Sequence, residues 1–182
     1  MSTTTSRRWL ALAASALLLA SGAALADSKT AGETIDDSTL ATKTKAALLE
    51  TTKASGTTIN VEAYKGKVLL GGFVDNAEAQ AAAKAAAAKV AGGAGNVIDA
   101  LVVVPGGRAP GQTLDDTTAQ ARLKAALVEK LGQGIKVNTD VRRGEALLSG
   151  FVNLEGSKTK AGEIAKGISG ISKVHNKLVV AP

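Results

Sequence analysis

The sequence predicts an α+β protein built from two tandem αββαβ units, each a three-stranded sheet with two helices on one face. Three observations carry this reading. The stretch "GKVLLGGFV" at 66–74 returns as "GEALLSGFV" at 144–152, with six of nine letters identical. The flanks return with it: "DDSTLATKTKAALLE" at 36–50 matches "DDTTAQARLKAALVE" at 115–129, and "NVIDALVVV" at 96–104 matches "KVHNKLVVA" at 173–181. Within each half, helical and period-two hydrophobic runs follow one another in the same order.

The chain opens on a segment that stands outside this plan. "MSTTTSRRWLALAASALLLASGAALA" sets Arg7 and Arg8 before an apolar run from Leu10 to Ala20 and closes on Ala24-Leu25-Ala26. That is the layout of a secretory signal peptide, residues 1–26, cleaved after Ala26. An apolar run of this length is too short for a permanent span. Export into the periplasm follows, with no transmembrane span in the mature chain. The alanine-rich core favours the general export route over the twin-arginine route. No cysteine is present to form a disulfide or to carry a lipid.

The first unit is expected at 36–104 and the second at 115–181. Between them "PGGRAPGQT" opens a Pro/Gly-rich linker, 105–114. In the first helix of the second unit, Ala119, Leu123, Ala126 and Leu127 share one face; Leu40, Thr44, Ala47 and Leu48 hold the same places in the first. Asp36/Asp37 and Asp115/Asp116 precede these runs, where carboxylates cap exposed amides. A hairpin follows. Ile59, Val61 and Ala63, then Val68, Leu70 and Val74, alternate around "YKGK"; Val137, Thr139 and Val141, then Leu148 and Val152, alternate around "RRGE". The alternation predicts one buried face per hairpin. Gly66 and Gly144 fall at the turns, where positive φ is needed. Gly72 and Gly150 lie inside the next strand, marking a bulge or a close approach, expected from the second helix.

That second helix starts at "DNAE", with Asp75 as cap and Glu78 completing a capping box. The run "AEAQAAAKAAAAKVAGG" has high helix propensity and little bulk. In the second unit Leu154, Ala161, Ile164, Ala165 and Ile168 form the matching apolar face. Gly92-Gly93 and Gly170 end the helices, and "ALVVV" and "KLVVA" read as closing strands.

This order, with Val61, Gly66, Val68, Leu70, Gly72, Val74, Val97, Leu101 and Val103 in one copy and Gly144, Leu148, Gly150, Val152, Val174, Asn176, Leu178 and Val180 in the other, resembles the BON domain family. The departures are Thr139 and Ala146 at apolar positions and Asp99 where the asparagine falls. The resemblance implies no catalytic residue. No cofactor or metal is expected either, since His175 has no cysteine or carboxylate pair at ligand spacing. The resemblance implies envelope protection under osmotic stress, through contact with phospholipid surfaces or with other envelope proteins, including a chaperone role.

The side chains agree with a binding protein rather than an enzyme. His175 is the only histidine and reads as a surface strand residue. The glycine-rich stretches lack the GK[ST] of a phosphate loop. Tyr64, Phe73 and Phe151 are the aromatics of the mature chain, too few for base stacking, so nucleic acid is not a partner. Charge separates the two units. The first has seven basic and seven acidic residues; the second has eleven basic and seven acidic. Arg142, Arg143, Lys158 and Lys160 are therefore the candidate contacts to an anionic phospholipid surface. Four such side chains at about 1 kcal/mol each give a dissociation constant near 1 mM, a weak peripheral attachment. The alternatives are unfolded or envelope proteins as partners, or a structural adaptor that docks a protein or another copy of the chain.

Overall fold

The computed structural model describes residues 31–52, 59–106, 110–132 and 136–181. The expected leader, 1–26, lies outside them, as do residues 107–109 of the expected linker. The first unit runs α1 (Ala31–Thr52), β1 (Asn60–Tyr64), β2 (Lys67–Val74), α2 (Ala77–Val90) and β3 (Val97–Val103); the second runs α3 (Pro110–Leu131), β4 (Asn138–Arg142), β5 (Glu145–Val152), α4 (Glu155–Lys166) and β6 (Lys173–Val180). In each sheet the middle strand pairs antiparallel with its hairpin partner and parallel with the closing strand. The register is shared: Val61 faces Leu70 and Thr139 faces Leu148.

The helices bury the even positions of the middle strands. Val68, Leu70 and Val74 pack with Leu48, Ala83, Ala86, Ala87 and Leu101. Ala146, Leu148 and Val152 pack with Leu123, Leu127, Ala161, Ile164, Ala165 and Leu178. Each leucine removed from water contributes about 2 kcal/mol. The buried residues of α2 are all alanines, Ala83, Ala86 and Ala87.

Both long helices begin earlier than the sequence reading placed them, α1 at Ala31 and α3 at Pro110. The last residues of the expected linker, 110–114, are thus helical. The aspartate pairs consequently lie inside the helices and do not cap their starts. Asp37 and Asp116 instead reach across to the hairpins. Asp37 accepts from the Lys65 and Gly66 amides at 2.9 and 3.0 Å. Asp116 accepts from the Arg143 and Gly144 amides at 2.8 and 3.0 Å. The turns need this support. Lys65 and Gly66 have φ of 48° and 74°, and Arg143 and Gly144 have 55° and 74°. Two consecutive positive φ values define a tight hairpin turn whose twist matches the strands. A side chain in the left-handed region costs about 1–2 kcal/mol. The buried carboxylate holds the turn in place against that cost and ties it to the helix.

The second helices differ from expectation at their ends. Asn76, not Asp75, caps α2 by accepting from the Ala79 amide at 2.7 Å. Leu154 precedes α4 and is 66% exposed, so it does not belong to the apolar face. The α4 backbone stops at Gly167, three residues before Gly170.

The helix-to-strand contact is solved differently in the two units. Asn176 accepts from its own Leu178 amide and donates to the Lys158 carbonyl at 2.7 Å. Gly162 makes room: a Cβ there would lie 2.8 Å from the Asn176 amide nitrogen. At the corresponding strand position, Asp99 also binds its own strand, accepting from the Leu101 amide. A carboxylate has no proton to donate, so α2 supplies the donors. Gln80 donates to Asp99 at 3.0 Å and Lys84 lies 3.1 Å away, with Lys84 at the place of Gly162.

Removing the clamp leaves two amides without their acceptor. Asp116→Ala is expected to lower unfolding free energy by about 2–4 kcal/mol in urea titration, whereas the exposed neighbour Asp115→Ala changes it by less than about 0.5 kcal/mol.

Candidate functional site

The hairpins carry more buried surface than an alternating pattern requires. In β2 every residue after Lys67 is buried, and in β5 the odd positions Leu147 and Ser149 are buried as well. The second face is covered by the other unit. Phe73 and Val104 of the first unit cluster with Leu147 of the second. The two sheets therefore pack face to face with the helices outside. The sheets come closest at Gly71, where a Cβ would sit 2.2 Å from the Ser149 hydroxyl oxygen. No side chain larger than hydrogen fits at that point without moving the sheets apart.

Aromatic and polar contacts ring this centre. Tyr64 and Phe151 stack at 5.2 Å between centroids, and Phe73 meets His175 edge-on at 6.3 Å. Asn138 donates to Glu62 at 2.7 Å. Arg142 points into the joint, 7% exposed, where it pairs with Asp75 and donates to the Gly106 carbonyl at 2.8 Å. Its Nε has no partner. This corrects the place of Arg142 among the candidate lipid contacts. Asp75 was expected to serve its own helix; it neutralises an arginine of the other unit.

His175 is likewise not a surface residue. It is half-buried, with Nε2 2.6 Å from a Glu145 carboxylate oxygen that Lys173 also approaches at 3.3 Å. The hydrogen bond from His175 is the main reason the Glu145 carboxyl titrates below its usual range; burial opposes this and Lys173 reinforces it.

The remaining candidates are not gathered together. Arg143 lies on the rim of an open groove of about 460 Å³ bounded by α3, the β4–β5 turn and the segment before β6. Arg143 also donates to the Pro105 carbonyl at 2.7 Å. Arg122, missed in the sequence because it sits mid-helix among ordinary surface residues, shares the groove; Lys158 and Lys160 do not line it. Lys158 is 3.7 Å from Glu155, and Lys160 is exposed on α4. Gly66 and Gly144 occupy the second place in their turns. Gly72 and Gly150 have φ of 150° and 128°. At Gly150 the approach comes from the chain entering β4, not from the second helix: a Cβ would lie 2.6 Å from the Lys136 carbonyl oxygen. Among the described residues no three His, Cys, Asp or Glu side chains group to hold a metal, and no helix is long and apolar enough to cross a membrane.

Comparison with known proteins places these features. The BON domain model matches residues 36–105 and again 115–182. The chain is 32% identical over 150 residues to osmotically-inducible protein Y of Escherichia coli strain K12, covering 81% of this chain and 74% of that one. Among solved structures it is similar to the C-terminal domain of CdsD, a structural protein of the type III secretion system of Chlamydia trachomatis. That similarity has 18% identity and a TM-score of 0.33, over 80% of this chain and 67% of the other. A second CdsD structure aligns at 17% identity and a TM-score of 0.33, over 80% of this chain and 63% of its own length.

Two outcomes follow from the joint. Gly71→Val is expected to separate the sheets, read as a larger radius of gyration in solution scattering and a lower thermal midpoint, while Gly95→Val, in open space, leaves the radius unchanged. The lowered Glu145 value stabilises the fold above the unfolded value and is lost as pH falls through the folded one. Wild type is therefore expected to melt above Glu145→Gln at pH 7, with the gap closing well below about pH 4.3.

Proposed function

Since the chain belongs to the BON domain family, with two copies in tandem, we propose that it is an exported, non-enzymatic protein of the periplasm that protects the envelope under osmotic stress by reversible surface contact. The name of the Escherichia coli relative supports the osmotic setting, and the leader-like residues 1–26 support export. The observation that carries the contact is the charge difference between otherwise like units, with the excess of base on the second. Its partner is an anionic phospholipid surface, met by Arg143, Lys158 and Lys160. Arg122, beside Arg143, joins this set, and Arg142, enclosed in the joint, leaves it. Attachment of this strength is salt-sensitive.

A protein partner is the second reading. Leu49 and Val128 stay about two-fifths exposed, at 42% and 43%, at matching places on α1 and α3. Such a pair suits an envelope protein or an unfolded segment better than a lipid headgroup.

Co-sedimentation with vesicles separates the two. Binding to vesicles containing phosphatidylglycerol at low salt, weakening as salt rises and falling about tenfold or more when Arg122, Arg143, Lys158 and Lys160 are replaced by glutamine, supports lipid contact. No binding at low salt rejects it. Suppression of aggregation of an unfolded envelope protein, lost in Leu49→Ser/Val128→Ser, then supports the second reading.

A further inference from the structure

The joint between the units is made from two versions of one surface. Leu69, Gly71 and Phe73 stand on the joint face of β2; Leu147, Ser149 and Phe151 stand on that of β5, at the same strand positions. At the centre, Gly71 meets Ser149, so equivalent positions meet one another. That is the mark of an isologous contact, the kind that two copies of one surface make. The same joint is available between the first unit of one chain and the second unit of another.

The geometry points to exchange: the joint is also a docking surface for a second copy of this chain. The first unit of one chain seats on the second unit of the other, and reciprocally, forming a dimer with two joints.

Charge sets which units pair. Across the joint Asp75 of the first unit meets Arg142 of the second. The residue equivalent to Asp75 in the second unit is Asn153, and the residue equivalent to Arg142 in the first is Tyr64. Pairing two first units leaves Asp75 without its arginine. Pairing two second units encloses Arg142 without a carboxylate, an unfavourable burial. The exchanged dimer alone keeps every pair. Within one chain the connection is short, from Val103 to Pro110, and Arg142 and Arg143 grip the Gly106 and Pro105 carbonyls. The closed monomer therefore dominates in dilute solution, and the dimer rises with concentration.

The absence of cysteine makes the test direct. Two full-length single variants, Glu62→Cys and Asn138→Cys, place one thiol on each side of the joint. They are mixed, opened briefly in urea, returned to buffer and treated with a short bis-maleimide. Exchange predicts a covalent heterodimer whose share of the total chain rises about tenfold between about 0.05 and 0.5 mM chain, since short tethers give effective concentrations in the millimolar range. A Glu62→Cys and Lys160→Cys mixture, whose second thiol lies on exposed α4, gives the collision background. The double variant Glu62→Cys/Asn138→Cys reports the closed joint by linking within one chain. A double variant that links internally, beside a mixture at background at every concentration, overturns the proposal. A double variant that does not link removes the joint itself and overturns it too. Light scattering on the unaltered chain provides a second measure: a mass that stays monomeric up to 0.5 mM also sinks the idea.

Discussion

The middle strand of each sheet is buried on both faces, and most of the molecule follows from that. A three-stranded sheet with helices on one side leaves its other side bare. A unit of about seventy residues buries little apolar surface by itself and sits near the lower limit for a stable domain. Packing the two bare faces together answers both problems. The arrangement sets strict local conditions: nothing beyond hydrogen at Gly71, a small side chain at Ser149, and a charged partner for the enclosed Arg142. The chain thus behaves as one four-layered body with a duplicated plan.

The carboxylates of Asp37 and Asp116 perform a second task that the repeat makes visible. Each sits in a helix and holds a turn almost thirty residues ahead, with both oxygens engaged. Helix and hairpin are thereby fixed relative to each other. The turn residue Arg143 is exposed and stands at the mouth of the groove. The same contact that secures the fold therefore positions a cation at the surface.

Much of this was legible in the sequence. The duplication, the order of elements and the core positions came directly from period-two and helical spacing, because each unit folds by local pattern. The alternation around the turns marked Gly66 and Gly144 as positions for positive φ, but not Lys65 and Arg143, which share it. What could not be read was contact at long range. Asp37 looked like a cap because an acid before a helical run usually is one; its true partners are amides on another element. Arg142 looked like a surface charge because it neighbours Arg143 on a turn. One residue back on the strand, it points the opposite way. The signal for the joint was present: "VLLGGFV" and "ALLSGFV" are continuous apolar runs, and such runs indicate strands covered on both sides.

The pairing of Asp99 with Lys84, against Asn176 with Gly162, has a consequence for the history of the duplicated halves. Gene conversion that copied the closing strand of one half onto the other, without the matching helix, would set Asn176's counterpart against a lysine or a carboxylate against a glycine. Each half has its own lock and key at this seam. A closing strand copied between the halves therefore keeps its polar contacts only when its matching helix comes with it.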